Sequence, residues 1–526
     1  MAGNRFVRTA EPRYVTFLFY VFLAATVVLI GWRTAVVNWH VWFAPLAWLA
    51  DVFGLASSAL FLITVHRRAV PAPRPVDVAL DVPAHTVDIL IPTVSEPLSV
   101  LEPAVVGATR VRGVRRVLVL DDGGRPEVAR MARLRGVEYV ARAGRDGAKA
   151  GNLNHGLRFT DAELVATFDA DHIPLPDFLE HTVRYFDDLD VAVVQTPQAF
   201  YNTESFTFRP GWHEQQMFYQ CVQPAKNAHN GAFYTGTGAV LRRAALDGIG
   251  GFATGTATED IHTSLRLHAA GWQSVFLPRP LAYGLEVDNL REYYRTRRRW
   301  AAGSLGLLLR SPDSPLRIRG LSVAQRLSYL SSTLVHLQGA QRLAYLLVPL
   351  LALVTTRNPV SVTFAWFGAV FFGFAALSLW LTHRYSYGAY RPWYTEVFNL
   401  ALAVPQLSGL AGVVRPERKF QVSIKNAGSA SGPRIKLTYA ILLAIAVAGL
   451  GRAGQLVVTG HGSALVAWSG ALLALQAALL IHLLVWVLGY ERRTAAPGGR
   501  PLGASGRYRS VLLRFGSAPV PAPQAR

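Results

Sequence analysis

The 526-residue chain contains almost no cysteine: Cys221 is the single one, so an intrachain disulfide is impossible. The bulk of the protein therefore need not face an oxidising compartment. Charged residues are also scarce at 16%, whereas hydrophobic residues make up 51%, which excludes a largely disordered chain. No cleavable secretion signal is evident, because the first apolar run lacks a small-residue cleavage site and a second apolar run follows it.

The charge that is present is strongly one-sided, with 53 Lys and Arg against 33 Asp and Glu and a formal net charge of +20. Such an excess is typical of proteins that bind nucleic acid or an anionic membrane surface. The positions favour the membrane and argue against nucleic acid, because basic residues flank long apolar stretches, as positive-inside topology requires. These residues are Arg5, Arg8, Arg67, Arg68, the run Arg415 to Lys419, Arg492 and Arg493.

Six apolar stretches are candidate membrane spans. They cover residues 15–31, 41–65, 336–355, 361–382, 437–451 and 464–489. An even number of crossings places both termini on one side, and the basic flanks predict that this side is the cytoplasm, with the protein in the inner or plasma membrane. Asp51 lies within the second stretch. We expect it to face other helices or an interface, because a carboxylate at mid-depth costs about 2.5–3.5 kcal/mol.

The remaining sequence divides into regions of different composition. Short β-rich runs alternate with helical stretches between the two groups of spans, which predicts an α/β domain with a mostly parallel sheet and helices on both sides. The runs are 87–91, 116–120, 137–140, 164–168 and 191–195. The predicted regions are two spans in 1–70, a Pro-rich linker in 71–86, the α/β domain in 87–310, four spans with an interfacial segment (384–436) in 311–490, and a basic disordered tail in 491–526.

Two pairs of carboxylates directly follow predicted strands: Asp121 with Asp122, and Asp169 with Asp171. In an open α/β sheet the ligand crevice lies at the carboxyl ends of the strands. The second pair would suit a hard divalent cation that bridges phosphate oxygens. Either pair alone could equally be an ordinary solvated turn. The two pairs indicate a ligand site only because they follow neighbouring strands of one predicted sheet.

Three further motifs each allow a structural and a functional interpretation. Lys149 opens a predicted helix after a glycine-bearing loop, where it is either a surface lysine or a phosphate ligand. Glu259 and Asp260 precede an amphipathic run, either as helix-capping acids or with Asp260 as a general base. The basic run from Arg295 to Trp300 is either a membrane anchor or a clamp on a pyrophosphate, with the indole as a sugar platform.

In their order along the chain these motifs resemble the GT-A-fold processive glycosyltransferases of family 2, and among them the bacterial cellulose synthase catalytic subunits, over roughly 87–425. A last motif is similar to the F-x-V-T-x-K gating loop of cellulose synthases. The resemblance is carried by Asp121-Asp122-Gly123, Lys149-Ala150-Gly151-Asn152, Asp169-Ala170-Asp171, Gln195-Thr196-Pro197, Thr258-Glu259-Asp260, Arg297-Arg298-Arg299-Trp300 and Phe420-Gln421-Val422-Ser423-Ile424-Lys425.

The resemblance implies a membrane-embedded inverting transferase that polymerises a β-linked polysaccharide, foremost a β-glucan such as cellulose, and translocates it across the lipid bilayer. The implied donor is a UDP-sugar such as UDP-glucose, the acceptor is the growing polysaccharide, the cofactor is Mg²⁺ or Mn²⁺, and accessory export subunits are possible partners. Alternatives are a synthase of a mannan or poly-N-acetylglucosamine, a transferase adding one sugar to a lipid, and a degenerate transferase serving as a nucleotide-binding scaffold or transporter. Intact carboxylates argue against the last.

The resemblance also implies residue roles. The catalytic residues would be Asp260 and Glu259, the metal ligands Asp169 and Asp171, and the gating loop Phe420, Val422, Ser423 and Lys425. The substrate-binding residues would be Thr93, Glu96, Asp121, Asp122, Lys149, Asn152, Asp169, Arg297, Arg299 and Trp300. Several positions depart from the family pattern: Thr296 replaces a glutamine, Val94 replaces an aromatic residue, Ser423 replaces a threonine, and the family's F-F-C-G stretch reads Phe233-Tyr234-Thr235-Gly236. Because only a short tail follows the spans, we do not expect the cyclic-di-GMP-binding domain usual in cellulose synthases.

Overall fold

A computed structural model describes residues 6–9, 11–71, 85–414, 432–494 and 510–511. Three predicted features therefore lie wholly or mostly outside the described residues. They are the linker 71–86, the tail 491–526, and the gating-loop residues Phe420, Val422, Ser423 and Lys425.

The described residues form 14 β-strands. They are β1 (Phe6–Thr9), β2 (Arg68–Pro71), β3 (Val87–Thr93), β4 (Arg116–Asp121), β5 (Glu138–Ala141), β6 (Leu164–Thr167), β7 (Ile173–Pro174), β8 (Val191–Gln195), β9 (Ala199–Phe200), β10 (Phe208–Arg209), β11 (Trp212–His213), β12 (Ala239–Arg242), β13 (Gln273–Phe276) and β14 (Ala282–Gly284).

The same parts of the chain contain 16 α-helices. They are α1 (Arg13–Ala35), α2 (Ala44–Val65), α3 (Leu98–Ala108), α4 (Pro126–Leu134), α5 (Ala148–Gly156), α6 (Phe178–Thr182), α7 (Gln223–Lys226), α8 (Arg243–Gly248), α9 (Glu259–Ala269), α10 (Leu290–Leu309), α11 (Val323–Leu334), α12 (Gln338–Thr355), α13 (Phe364–Tyr385), α14 (Pro392–Val414), α15 (Pro433–Val458) and α16 (Ala464–Thr494).

A seven-stranded sheet forms the centre of the α/β domain, in the order β13-β8-β12-β6-β3-β4-β5. Strand β12 runs antiparallel to both of its neighbours, and the other pairs are parallel. This confirms the predicted fold class, and the five β-rich runs correspond to β3, β4, β5, β6 and β8. Strands β12 and β13 were not predicted.

Both faces of this sheet are covered by helices, as predicted. Alternate side chains of a strand point to opposite faces, so Ile89 and Val117 pack with α3, α4 and α6 on one side. Leu90 and Leu118 pack with α5 and α8 on the other side. Burial of both faces is typical of parallel sheets, and it holds the carboxyl ends of the strands in fixed positions.

The described residues contain seven helical segments that are long and apolar enough to cross a membrane, one more than the six stretches identified in the sequence. The additional segment is Pro392–Val413, inside the stretch 384–436 that the sequence assigned to the interface. Its mean hydropathy is only 1.2, because polar side chains interrupt it. Helix α14, which contains this segment, packs along α10 of the α/β domain. The even-number argument for the side of the termini therefore depends on whether α14 crosses.

Asp51 of α2 forms an ion pair with Arg33 of α1, which confirms that it faces a neighbouring helix. The distance from Arg33 Nε to Asp51 Oδ2 is 2.7 Å, and the side chains are 1% and 14% exposed. Gln341 of α12 donates a hydrogen bond to the carbonyl of Ala50 at 3.0 Å. Polar contacts thus join three helices within the apolar bundle, where an unpaired charge would be costly.

Replacing Asp51 with leucine should lower the midpoint of thermal unfolding in detergent, because Arg33 would keep its charge without a partner. Removal of one member of a buried ion pair typically costs about 3–5 kcal/mol. The double variant Arg33→Leu/Asp51→Leu should regain most of this stability, since it leaves no uncompensated charge. Melting followed by tryptophan fluorescence measures both, and a double variant less stable than Asp51→Leu would contradict the pairing.

Candidate active site

The carboxyl ends of β3, β4 and β6 open onto a cavity of about 570 Å³, a volume suited to a nucleotide-sized ligand. Most of the residues singled out from the sequence meet here. The cavity is lined by Thr93, Glu96, Asp122, Lys149, Asn152, Asp169, Asp171, Glu259, Asp260, Arg297, Arg299 and Trp300. Asp121 is the one candidate within the described residues that the structure does not bring to the cavity.

Asp169, Asp171 and His172 form a compact cluster in the turn after β6. Their possible ligand atoms lie within 4.8 Å of one another. His172 Nδ1 lies 3.0 Å from Asp171 Oδ1, and its buried Nε2 has no hydrogen-bond partner among the described residues. Burial lowers the pKa of His172 to about 4, so the imidazole is neutral and keeps a lone pair. Two carboxylates and an imidazole fit Mn²⁺ or Mg²⁺. Sequence reasoning missed His172, although it directly follows the acidic motif.

Lys149 lies in the first turn of α5, as predicted, and joins two sides of the cavity. Its Nζ forms an ion pair with Asp169, donates a hydrogen bond to the carbonyl of Gly236 at 2.7 Å, and lies 4.0 Å from Glu259 Oε1. Burial alone would lower the pKa of Lys149, but the neighbouring acids outweigh it and raise this pKa above its usual value. The ammonium group therefore stays charged, beside the acidic cluster and beside the start of α9.

Asp260 lies in the first turn of α9, next to a wall of the cavity formed by glycine backbone. Its Oδ1 accepts a hydrogen bond from the Ile261 N–H at 2.8 Å. A Cβ atom on Gly236 would lie 3.4 Å from Asp260 Oδ2 and 3.2 Å from Lys149 Nζ, and the φ of Gly236 is +88°. Both the backbone conformation and the close approach therefore require glycine at this position.

The surroundings of Asp260 favour its neutral form more than water does. Burial and the negative charge of Glu259 raise the pKa of Asp260 to about 7, while the cations of Lys149 and Arg299 act in the opposite direction. A carboxylate that changes protonation near neutral pH is suited to accept a proton from a hydroxyl group. The geometry and charge of this site therefore favour a general base over a capping acid.

The basic run lies on α10, which Asn289 caps by accepting a hydrogen bond from the Glu292 N–H at 2.9 Å. Arg297 forms an ion pair with the buried Glu214, and its guanidinium lies 4.1 Å from the ring centroid of Trp300. The positive charge of Arg297 is thus offset by Glu214 within the protein. No local pattern marks Glu214 in the sequence.

The two carboxylates after β4 have different environments. Asp121 is fully buried and accepts hydrogen bonds from the Arg125 N–H at 2.7 Å and the Tyr139 hydroxyl at 3.1 Å, so it stabilises the turn. Asp122 lines the cavity and forms a two-fold contact with Arg142, at 2.5 and 2.8 Å. Only the second carboxylate is therefore positioned to meet a ligand.

Thr93, Glu96 and Asn152 line the cavity but also bind to the protein itself. The hydroxyl of Thr93 donates to Glu96 Oε2 at 2.7 Å, and the Val94 N–H donates to the same oxygen at 2.9 Å. The Asn152 amide donates to the carbonyl of Leu120 at 2.7 Å. These hydrogen bonds fix the loops after β3 and β4. The three side chains would therefore contribute to ligand binding by holding these loops in shape.

One further acid in the cavity wall was not found from the sequence. Glu286 is 4% exposed and lines the cavity, and its Oε2 lies 3.0 Å from Nε2 of His213. The amide of Asn202 bonds to the backbone of Glu286 in both directions, at 2.8 and 3.0 Å. Because these residues come from separate loops, no sequence spacing could have indicated the contact.

Two curated relatives resemble the chain over much of its length. The cellulose synthase catalytic subunit (UDP-forming) of Pseudomonas fluorescens is 34% identical over 409 residues, which is 72% of this chain and 53% of that protein. Cellulose synthase 1 of Komagataeibacter xylinus is 38% identical over 306 residues, which is 56% of this chain and 19% of that protein. The chain thus spans about half or less of the length of these relatives.

Among solved structures, the mannosyltransferase PcManGT of Pyrobaculum calidifontis, in complex with GDP-Man and Mn²⁺, is similar with a TM-score of 0.45 and 19% identity. The match covers 77% of this chain and 99% of that one. Glucosyl-3-phosphoglycerate synthase of Mycobacterium tuberculosis, in complex with Mn²⁺, UDP-Glc and phosphoglyceric acid, has a TM-score of 0.32 and 19% identity, and covers 44% of this chain and 83% of that one.

The seven long apolar helical segments of the described residues make this chain a multi-pass membrane protein. The sequence profile of the family described as glycosyl transferase family group 2 matches residues 164–490, well over half of the chain. This match begins at β6 and includes the acidic cluster, α9, α10 and the helices that follow. The chain therefore belongs to glycosyl transferase family group 2.

Proposed function

We propose that this protein is an inverting glycosyltransferase that extends a β-linked glucan, with UDP-glucose as donor, and moves the product across the membrane. The observation that carries the proposal is the position of Asp260. Its carboxyl shares one cavity with the cluster of Asp169, Asp171 and His172, and with the basic and aromatic residues of α10. A base, an acidic metal-type cluster and cations for a diphosphate are the parts that such a transfer requires.

The choice of donor and product rests on the relatives. Both described relatives are cellulose synthases, and one is named as UDP-forming. A UDP-linked glucose donor and a glucan acceptor are therefore the first substrates to test. The proposed product would have to be changed if the protein instead made a mannan or poly-N-acetylglucosamine, or transferred a single sugar to a lipid.

In the proposed reaction a hydroxyl of the acceptor sugar attacks the anomeric carbon of the donor, and Asp260 accepts the proton of that hydroxyl. The bond from the anomeric carbon to the diphosphate oxygen breaks, and its electron pair leaves with UDP. Lys149 and Arg299 offset the charge that develops on the leaving diphosphate. Displacement from the face opposite the leaving group inverts the anomeric centre, so an α-linked donor yields a β-linked product.

Asp169, Asp171 and His172 would hold a Mg²⁺ or Mn²⁺ ion, since two carboxylates and a neutral imidazole match the ligands that these ions accept. When bound, the ion supplies positive charge to the phosphate oxygens of the donor. Lys149, through its ion pair with Asp169, would place a second cation beside that position.

The proposed acceptor site is the wall formed by Trp300 of α10, because an indole offers an apolar surface for stacking on a sugar ring. Helix α10 packs along α14, so the product would leave the cavity directly toward the membrane helices.

In this arrangement the α/β domain and both termini are cytosolic, and α14 lies at the interface. The segment from Phe420 to Lys425 follows α14 in sequence, and we propose it as a gating loop. Accessory export subunits would act beyond the membrane.

Membranes that contain the protein should incorporate labelled glucose from UDP-glucose into a polymer when Mg²⁺ or Mn²⁺ is present. The polymer should be degraded by a β-glucanase, and EDTA should abolish its formation, because the acidic cluster would lose its ion. Matched reactions with GDP-mannose and UDP-N-acetylglucosamine are the controls. A polymer made only from one of these donors, or one that resists glucanases, would overturn the glucan assignment.

The kcat/KM of the transfer should rise with pH and reach half its maximum near pH 7, because burial raises the pKa of Asp260 to about 7 and only the carboxylate accepts a proton. Glu259→Gln should move this midpoint to lower pH, since removing the neighbouring negative charge lowers the pKa of Asp260. Glu138→Gln on the edge strand β5 is the control. Initial rates between about pH 5 and 9 measure the profile. A midpoint that Glu259→Gln leaves unchanged would contradict Asp260 as the titrating base.

A further inference from the structure

Helix α14 approaches α10 so closely that only glycine fits at one position. A Cβ atom on Gly409 would lie 2.7 Å from the Cβ of Ala301, 2.9 Å from the carbonyl oxygen of Arg298 and 3.0 Å from the backbone nitrogen of Ala302. Such distances are shorter than van der Waals contact allows, so the neighbouring atoms would have to move. Two of these atoms belong to the backbone of α10, which means that the whole helix would shift.

On its cavity side α10 is confined in the same way. A Cβ atom on Gly303 would lie 2.9 Å from the backbone nitrogen and 2.7 Å from Cγ2 of Thr258. Thr258 immediately precedes α9, which carries Glu259 and Asp260 in its first turn. Helix α10 therefore has no free space either toward the start of α9 or toward α14.

Helix α14 is in turn fixed to the membrane bundle. A Cβ atom on Gly339 of α12 would lie 2.7 Å from the carbonyl oxygen of Ala403 and 2.9 Å from the Cβ of Gln406. An ion pair between Arg342 of α12 and Glu396 of α14 joins the same two helices. Because α12 holds α14 in place, a larger side chain at the contact between α14 and α10 would displace α10 and the site, not α14.

We propose that α14 is a fixed support that sets the position of α10 against the start of α9, and that Gly409 is a positioning residue for the transfer reaction. This inference rests on the proposed function. Gly409 touches no substrate. It acts through α10, whose Arg299 and Trp300 line the cavity beside Asp260. A displacement of about 1 Å at such groups is enough to reduce a rate by about a hundredfold.

The direct test compares two glycines of α14 that are one turn apart. Gly409→Ala should lower kcat at least about tenfold, because a shift of α10 moves Arg299 and Trp300 relative to Asp260. Gly412→Ala should have little effect, since the nearest atom to its added Cβ is 3.9 Å away. Adding Ala301→Gly to Gly409→Ala should restore part of the lost kcat, because it removes the closest of the three contacts.

A crosslink tests the support independently of any loss of fold. The added Cβ of Gly412 would lie 3.9 Å from that of Ala302, a separation that suits a disulfide. The double variant Ala302→Cys/Gly412→Cys should therefore keep its transfer rate after oxidation, because the bond holds α14 where it already lies. The native Cys221 is buried, so it does not compete for the crosslink.

The possible outcomes separate this inference from the proposed function. Wild-type membranes that transfer no sugar would overturn the function itself. With active wild-type membranes, equal kcat values for Gly409→Ala and Gly412→Ala would overturn the positioning role alone. So would a loss of activity on oxidation of the double cysteine variant that reductant reverses, because α14 would then have to leave α10 during catalysis. A Gly409→Ala defect that Ala301→Gly relieves, with an active crosslinked form, supports the proposal.

Discussion

The ammonium group of Lys149 is the contact on which the geometry of the site depends. It bonds to Asp169 after β6, to the carbonyl of Gly236, and approaches Glu259 at the start of α9. These three elements come from distant parts of the chain, and without a cation between them the acids would repel one another at close range. In the proposed reaction, the same charge that holds these elements together also lies where the leaving diphosphate would need it. Structural and catalytic requirements therefore coincide at one side chain.

Much of the site could be predicted because its residues follow strands or glycine-bearing turns. Parallel strands end at one edge of a sheet, so Asp122 and Asp169 were expected to lie close together, and both line the cavity. The contacts of Glu214 and Glu286 could not be predicted, because each residue lies in a loop with no regular spacing. Of the two, Glu286 lines the cavity, whereas Glu214 pairs with Arg297. Asp121 shows the opposite limit. Its motif is typical of a binding site, but its carboxylate instead accepts hydrogen bonds from the Arg125 N–H and the Tyr139 hydroxyl within the protein.

The membrane part illustrates a different limit of sequence reasoning. Hydropathy identified the strongly apolar helices, but it could not separate a helix that crosses from one that lies between a domain and the bundle. Helix α14 is apolar enough to be counted as a span, yet it packs along α10 and is joined to α12 by Gly339 and by the Arg342–Glu396 ion pair. These contacts are long-range in sequence, and only the folded chain reveals that a membrane helix supports the basic wall of the cavity.

The central claim is that Asp260 accepts the proton of the attacking hydroxyl. The most direct measurement is the rate of UDP release from UDP-glucose by Asp260→Asn, with UDP affinity determined on the same preparation. Asp247→Asn, at a side chain that is 57% exposed on α8, is the matched control. The account predicts that Asp260→Asn loses about 10²–10⁴ in rate while it still binds UDP, and that the control keeps the wild-type rate. An Asp260→Asn variant that releases UDP at the wild-type rate would contradict it.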